Sequence, residues 1–219
     1  MALTLHSHPF ASFCQKVLVA FYENGTPFET VLVDLGDEAS TAAFKALWPV
    51  GLMPVLVDDV RGRTLPESTI IMEYLDRFYP GATPLLPGDA DTVLEVRLKD
   101  RFFDLYVQEP MQKIIADRLR PAGGRDPLGV AKARSVLATA YGMIEREMGA
   151  RTWTAGEAFT LADCAAAPAL HYAELVQPFG DDHPNLTAYL ARLKARPSFA
   201  RVQREAEPYA HFLPQDPDA

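Results

Sequence analysis

Two points in this chain put polar side chains where a helix has to begin, and a helix start is where holding an anion is physically cheap. Glu67-Ser68 closes one apolar run and opens another, so Ser68 sits beside unpaired N–H groups and the positive end of a helix dipole. An α-carboxylate fits such a position, and capping the helix is the structural use of the same serine. At the other start, Ala11-Ser12-Phe13-Cys14 has the spacing of a Cys-x-x-Cys dithiol with the attacking cysteine absent. Cys14 therefore reads as a small core residue, as does Cys164 inside CAAAPAL. His6 and His8 have i, i+2 spacing on a strand edge, yet no third ligand lies near them in sequence and no metal is expected. Met53-Pro54 stands ahead of a short apolar run, where an ordinary trans turn is the plain reading.

The elements that must carry these residues follow from apolar spacing and from breakers. Leu3 to His6 reads as a strand and Phe13 to Asn24 as a helix stopped by Gly25. Phe28 to Leu35 is β-branched and apolar enough for a buried strand, and Ala39 to Leu47 returns to helical spacing before Trp48 and Pro49. Pro54 to Asp58 and Arg63 to Leu65 flank a turn at Gly62, which predicts a hairpin, and Ser68 to Phe78 places Ile70, Ile71, Tyr74, Leu75 and Phe78 on one helical face. The order β-α-β-α-β-β-α fills residues 1–80, a linker rich in Pro and Gly follows at 81–91, and 92–219 reads as helix. There a long helix from Thr92 to Leu119 is expected to bend at Pro110, and a second spans Val130 to Met148. Thr160 and Asp163 give a capping-box signature for a third helix reaching about Val176, and two shorter ones are predicted at Leu186 to Ala195 and Ser198 to Glu205.

The 219 residues are 48% hydrophobic and 23% charged, enough to bury a full core in one large domain or two small ones. With 21 Lys and Arg against 29 Asp and Glu the net charge is −8, and neither half is basic, which disfavours nucleic acid and anionic membrane as partners. No apolar run approaches the roughly 20 residues of a membrane helix, and MALTLHSHPF has no signal-peptide pattern. Two cysteines make no disulfide framework. A soluble, cytoplasmic protein in a reducing compartment is expected.

His8 to Val17 (HPFASFCQKV), Trp48 to Leu56 (WPVGLMPVL), Leu65 to Tyr74 (LPESTIIMEY) and the Thr160/Asp163 cap occur in the order found in the glutathione transferase family. The chain resembles that family over essentially its whole length, most of all its bacterial serine-type and cysteine-type members. The resemblance implies an α/β plus all-α fold, with an N-terminal thioredoxin-like βαβ-ββα domain followed by an all-helical domain. It implies a cis Pro54, with the Met53 backbone pairing with the cysteinyl part of glutathione as an added strand pairs with a sheet edge. Glu67 and Ser68 would grip the γ-glutamyl end. Ala11 occupies the place where relatives carry a hydroxyl or thiol for the glutathione sulfur, so Ser12, the next residue, is the catalytic candidate, with backbone donors as the alternative. Leu52 stands where many relatives have a lysine for the glycyl carboxylate, which leaves Lys45, Lys16 and the histidines near the first strand as basic candidates. Tyr106 and Gln108 are the polar candidates for the wall of a second-substrate pocket, on a helix whose Phe102, Phe103, Met111, Ile114 and Ile115 fit core or dimer packing first.

The function implied is that of a homodimeric, cytosolic detoxification enzyme joining the glutathione thiolate to a largely apolar electrophile, with glutathione as co-substrate and no metal or other cofactor. Peroxide reduction, isomerisation and dehalogenation on the same site stay open. Ala11 also keeps open a non-catalytic binding or regulatory protein of the same fold. Against that stand Met53-Pro54 and Glu67-Ser68, since a pure scaffold has no need of a clamp for a peptide thiol.

Overall fold

The computed structural model describes residues 3–214. Strands β1 (Leu3–Ser7), β2 (Glu29–Leu32), β3 (Val55–Asp58) and β4 (Arg63–Pro66) form one mixed sheet in the order β2-β1-β3-β4. β1 runs parallel to β2 and antiparallel to β3, and β3 runs antiparallel to β4. Leu5 faces Leu56 and Leu56 faces Leu65 across the ladders, and all three are buried. A parallel pair needs a crossover, which α1 (Ser12–Asn24) supplies. Gly25 ends that helix in the left-handed region at φ 60, its N–H returning to the Phe21 carbonyl. Helices α2 (Glu38–Leu47) and α3 (Ser68–Phe78) complete this half.

β2 departs from the buried strand expected over Phe28 to Leu35. It has four residues, all exposed, and the one buried residue of the segment is Val33, beyond its end. The strand lies at the sheet edge and pairs only with β1, while α2 buries only Phe44, which clusters with Val33 and Val55. Its β-branched composition meets the needs of strand pairing, which do not include cover on a face.

In the helical half, α4 (Ala90–Phe102), a π-helical stretch (Phe103–Gln108) and α5 (Glu109–Arg118) follow one another without a break. The bend expected at Pro110 takes the form of a change of pitch just before it. In an α-helix the Pro110 ring would press on the Tyr106 carbonyl and offer it no N–H, and the wider i→i+5 turns absorb that conflict. Helices α6 (Pro127–Met148), α7 (Leu161–Val176), α8 (Pro184–Ala195) and α9 (Pro197–Ala206) follow. α7 is the central element, packing against both α1 and α4 through buried small residues such as Ala165, Ala166 and Ala169. Its N-terminus is closed by the Thr160/Asp163 capping box, and buried Asp163 also accepts from the Thr154 N–H at 3.0 Å and the Tyr189 hydroxyl at 2.6 Å. One apolar core runs through both halves, from Leu3 to Val202. Among the described residues no helix is long and apolar enough to cross a membrane.

Candidate active site

A cavity of about 510 Å³ opens between the sheet half and the π-helical stretch, and Ser12, Met53, Pro54, Glu67 and Ser68 all line it. Residues from three separate parts of the sequence thus meet in one place. The Met53–Pro54 bond is cis, and Pro54 is buried at the foot of β3. Neither backbone group of Met53 has a partner among the described residues, so both are open to pair with an extended ligand. Glu67 is the single residue between β4 and α3, and it makes that sharp turn at φ 71 and ψ 113. Such a backbone costs a non-glycine residue roughly 1–3 kcal/mol and recurs at binding sites. The Glu67 carbonyl accepts from the Ile71 N–H at 2.9 Å, which leaves the N–H groups of Ser68, Thr69 and Ile70 as the open donors of α3.

Ser12 is the first residue of α1, with Ala11 as the cap, so its side chain does not serve as the helix cap. The Ala11 carbonyl takes the N–H groups of Cys14 and Gln15, each at 2.9 Å, while those of Ser12 and Phe13 have no partner among the described residues. The cavity therefore meets two backbone donors and one hydroxyl. Cys14, two residues on, is fully buried, and burial pushes its thiol up to about 12, against the pull of a backbone hydrogen bond from His8. It is a packed thiol and supplies no thiolate.

Lys16, one turn beyond Ser12, is buried away from the cavity rim, which removes it as a partner for a ligand carboxylate. Its ammonium meets Asp100 at 2.7 Å, Asp104 at 2.8 Å and the Thr69 hydroxyl at 3.0 Å. Arg101 closes this cluster from the cavity side, bonding Thr69 at 2.6 Å and also Asp104. Burial pushes the Asp104 carboxyl up, and Lys16 opposes that shift. Lys45 fares differently: its stem crosses Gly51, a cavity residue at φ 73, coming within 3.2 Å of where a Cβ would stand. His6 stacks on Phe44, and His8 packs edge-on against Tyr209 and accepts the Phe10 N–H at 3.1 Å.

A second, apolar cavity of about 180 Å³ adjoins the first, walled by Phe10, Met111, Ile115, Tyr172 and Phe212 and sharing Ala11, Ser12 and Gln112 with it. Neither Tyr106 nor Gln108 lines it. Residues two apart on a helix face different ways, and Tyr106 accordingly opens onto an outer groove with Phe102, Val136, Ala140 and Met143. Gln108 is buried and donates through Nε2 to the Ser12 Oγ. Arg101, Asp104, Phe10, Tyr172 and Phe212 were not legible as site residues. Phe10 had a local signal in its place beside Ala11, whereas Tyr172 and Phe212 arrive only through long-range packing.

Residues 5–83 match the glutathione S-transferase N-terminal domain and residues 117–192 the glutathione S-transferase C-terminal domain. Glutathione S-transferase 3 of Zea mays is 32% identical over 207 residues, covering 91% of this chain and 92% of that protein. The stringent starvation protein A homolog of Pasteurella multocida is 30% identical over 199 residues, covering 90% and 88%. A solved glutathione S-transferase of Methylobacterium radiotolerans, in complex with glutathione sulfonate, aligns with a TM-score of 0.81 at 33% identity, over 92% of this chain and 94% of that one. The chain belongs to the glutathione S-transferase family, as a glutathione-dependent transferase with a thioredoxin-like first half and a helical second half.

Proposed function

We propose that the protein joins the thiolate of glutathione to a small, uncharged, largely apolar electrophile. The observation that carries this is the sharing of Ala11 and Ser12 between a cavity lined in part by charged side chains and an apolar one, so that a sulfur held in the first faces a carbon held in the second. In this reading the Met53 backbone pairs with the cysteinyl unit. Ser68 and the open N–H groups of α3 take the γ-glutamyl carboxylate, and Glu67 receives the ammonium. Lys45, at the Gly51 rim, is the basic group for the glycyl carboxylate. The N–H groups of Ser12 and Phe13 and the Ser12 hydroxyl stabilise the thiolate. Its electron pair forms the S–C bond as the leaving group departs with the electron pair of the broken bond. Among the described residues, no charged side chain lines the second cavity, which supports an uncharged co-substrate.

Residues 1–80 then form the glutathione-binding domain, 81–91 the linker and 92–219 the domain for the co-substrate. A homodimer is part of the proposal. The Glu73–Arg97 ion pair at 2.6 Å sets α3 beside α4, and exposed Ile70, Leu94 and Leu98 flank it near the Tyr106 groove, an apolar face suited to a second copy. Two buried, unbridged cysteines support a cytoplasmic setting. A second reading, a non-catalytic binding protein, draws on Ala11, which brings no hydroxyl to the helix tip.

Ultraviolet difference absorbance of the glutathione thiolate, followed with pH alongside turnover of chlorodinitrobenzene, separates the two. Bound thiol is expected to titrate below its free value of about 8.5, and Ser12→Ala to raise that value by about one unit, a tenfold loss of thiolate at fixed pH. A bound thiol titrating as it does in water favours the non-catalytic reading. A lowered value that ignores Ser12→Ala assigns the work to the backbone donors. Lys45→Met is expected to raise KM for glutathione by at least about tenfold with kcat held.

A further inference from the structure

Ser12 and Gln108 lie 96 positions apart in sequence and meet in the interior, 7% and 2% exposed. A serine hydroxyl has one hydrogen to donate and two lone pairs that accept. The Gln108 Nε2 occupies a lone pair, and among the described residues no acceptor takes the Ser12 hydrogen. The nearby His8 carbonyl receives the Ala11 N–H at 3.0 Å and is not among the partners of the Ser12 hydroxyl. A nearly buried donor left without an acceptor is costly, and the directions open to this one lead into the two cavities that Ser12 borders.

We infer that Gln108 is a positioning residue for the transfer reaction: its amide holds Ser12 as an acceptor on one side, so that the serine hydrogen is presented to the glutathione sulfur on the other. This rests on the transferase reading given above. Accepting one hydrogen bond also polarises the hydroxyl and strengthens the bond it donates. No proton changes hands in this step, since the hydroxyl stays intact while it stabilises the negative sulfur.

The backbone explains how a glutamine so far along the chain arrives there. Ser12 and Lys16 are i, i+4 neighbours on α1, and they face Gln108 and Asp104, also four apart, in antiparallel order. In an α-helix residues four apart drift by about 40° per step, so Asp100, Asp104 and Gln108 would fan out. The π-helical stretch from Phe103 to Gln108 takes that drift back and keeps all three toward α1. Lys16 pins one rung of this ladder to Asp104, and Gln108 pins the next to Ser12.

The test is a cycle of wild type, Ser12→Ala, Gln108→Met and the double variant, read on the pKa of the bound thiol. Gln108→Met keeps length and bulk while deleting the N–H. Alone it is expected to lower the thiolate fraction at fixed pH about threefold, less than the tenfold of Ser12→Ala, with KM for glutathione unchanged. On the Ser12→Ala background it is expected to do nothing more. An equal effect in both backgrounds, or none in the wild type, overturns the inference and leaves the Ser12 role intact. If Ser12→Ala itself leaves the thiol unmoved, the Ser12 role fails and Gln108 falls with it. Gln108→Asn keeps the amide but withdraws it by one methylene; it carries the same expectation should the methionine variant not fold.

Discussion

Two of the seams along which helix α1 meets the helical half differ in character. Against α7 the contact is mostly apolar, with one buried hydrogen bond from Gln15 Nε2 to the Tyr172 hydroxyl at 2.9 Å, while against α4 and the π-helical stretch it is ionic and hydrogen-bonded, through Lys16 and Ser12. The apolar seam gains stability from area and has no preferred direction. The polar seam gives up much of its attraction to desolvation, but each contact in it works at one distance and one angle. Stability and placement of the reactive group are thus carried by different faces of the same helix.

The sharpest way to break this contrast is Lys16→Met, which leaves Asp100 and Asp104 in the interior with Arg101 and the Thr69 hydroxyl as their remaining partners. It should cost about 3–5 kcal/mol in urea or thermal unfolding. Replacing Lys16 by Met and both aspartates by Leu together should restore most of that stability without restoring the lowered thiol pKa. A triple variant as unstable as the single one would mean that the polar seam chiefly stabilises the fold. Next in size, Ala166→Leu overfills the apolar seam and should cost about 1–3 kcal/mol, while the folded fraction keeps its thiol chemistry.

The smallest effect concerns a buried carboxylate whose hydrogen-bond donors carry no charge. Burial pushes Asp58 up, but the hydroxyls of Tyr79 and Tyr74 and the N–H of Arg61 outweigh it and hold the carboxyl below its usual range. Its contribution to stability is therefore present above the ordinary carboxylate pKa of about 4 and is lost as pH falls through the folded value. Asp58→Asn should cost about 1 kcal/mol at neutral pH and flatten the acid limb of the stability curve. A variant with an unchanged acid limb would remove Asp58 as its source. Asp104 shifts the other way, because its burial outweighs the pull of Lys16 and Arg101.

Much of the fold was legible because its signals are local. Gly25 ends α1, Thr160 and Asp163 start α7, and the Gly62 turn sets the hairpin; each acts within about four residues. The convergence of Met53, Glu67 and Ser68 on one cavity was likewise expected from the motifs that hold them. What escaped depends on contacts between distant segments. Burial of β2 turns on whether another element covers it, which Thr30, Val31 and Leu32 do not encode. Lys16 looks like a surface cation until Asp100 and Asp104 arrive from 84 or more residues away. Gln108 reads as a pocket wall until the π-helical stretch rotates it toward Ser12.

Ala11 stands at the doorway joining the two cavities and offers a methyl group where its neighbour offers a hydroxyl. Every alanine codon is a single base change from a serine codon. A second alcohol beside the sulfur is thus within reach of one mutational event, and laboratory selection for faster conjugation has a short first step available at this doorway.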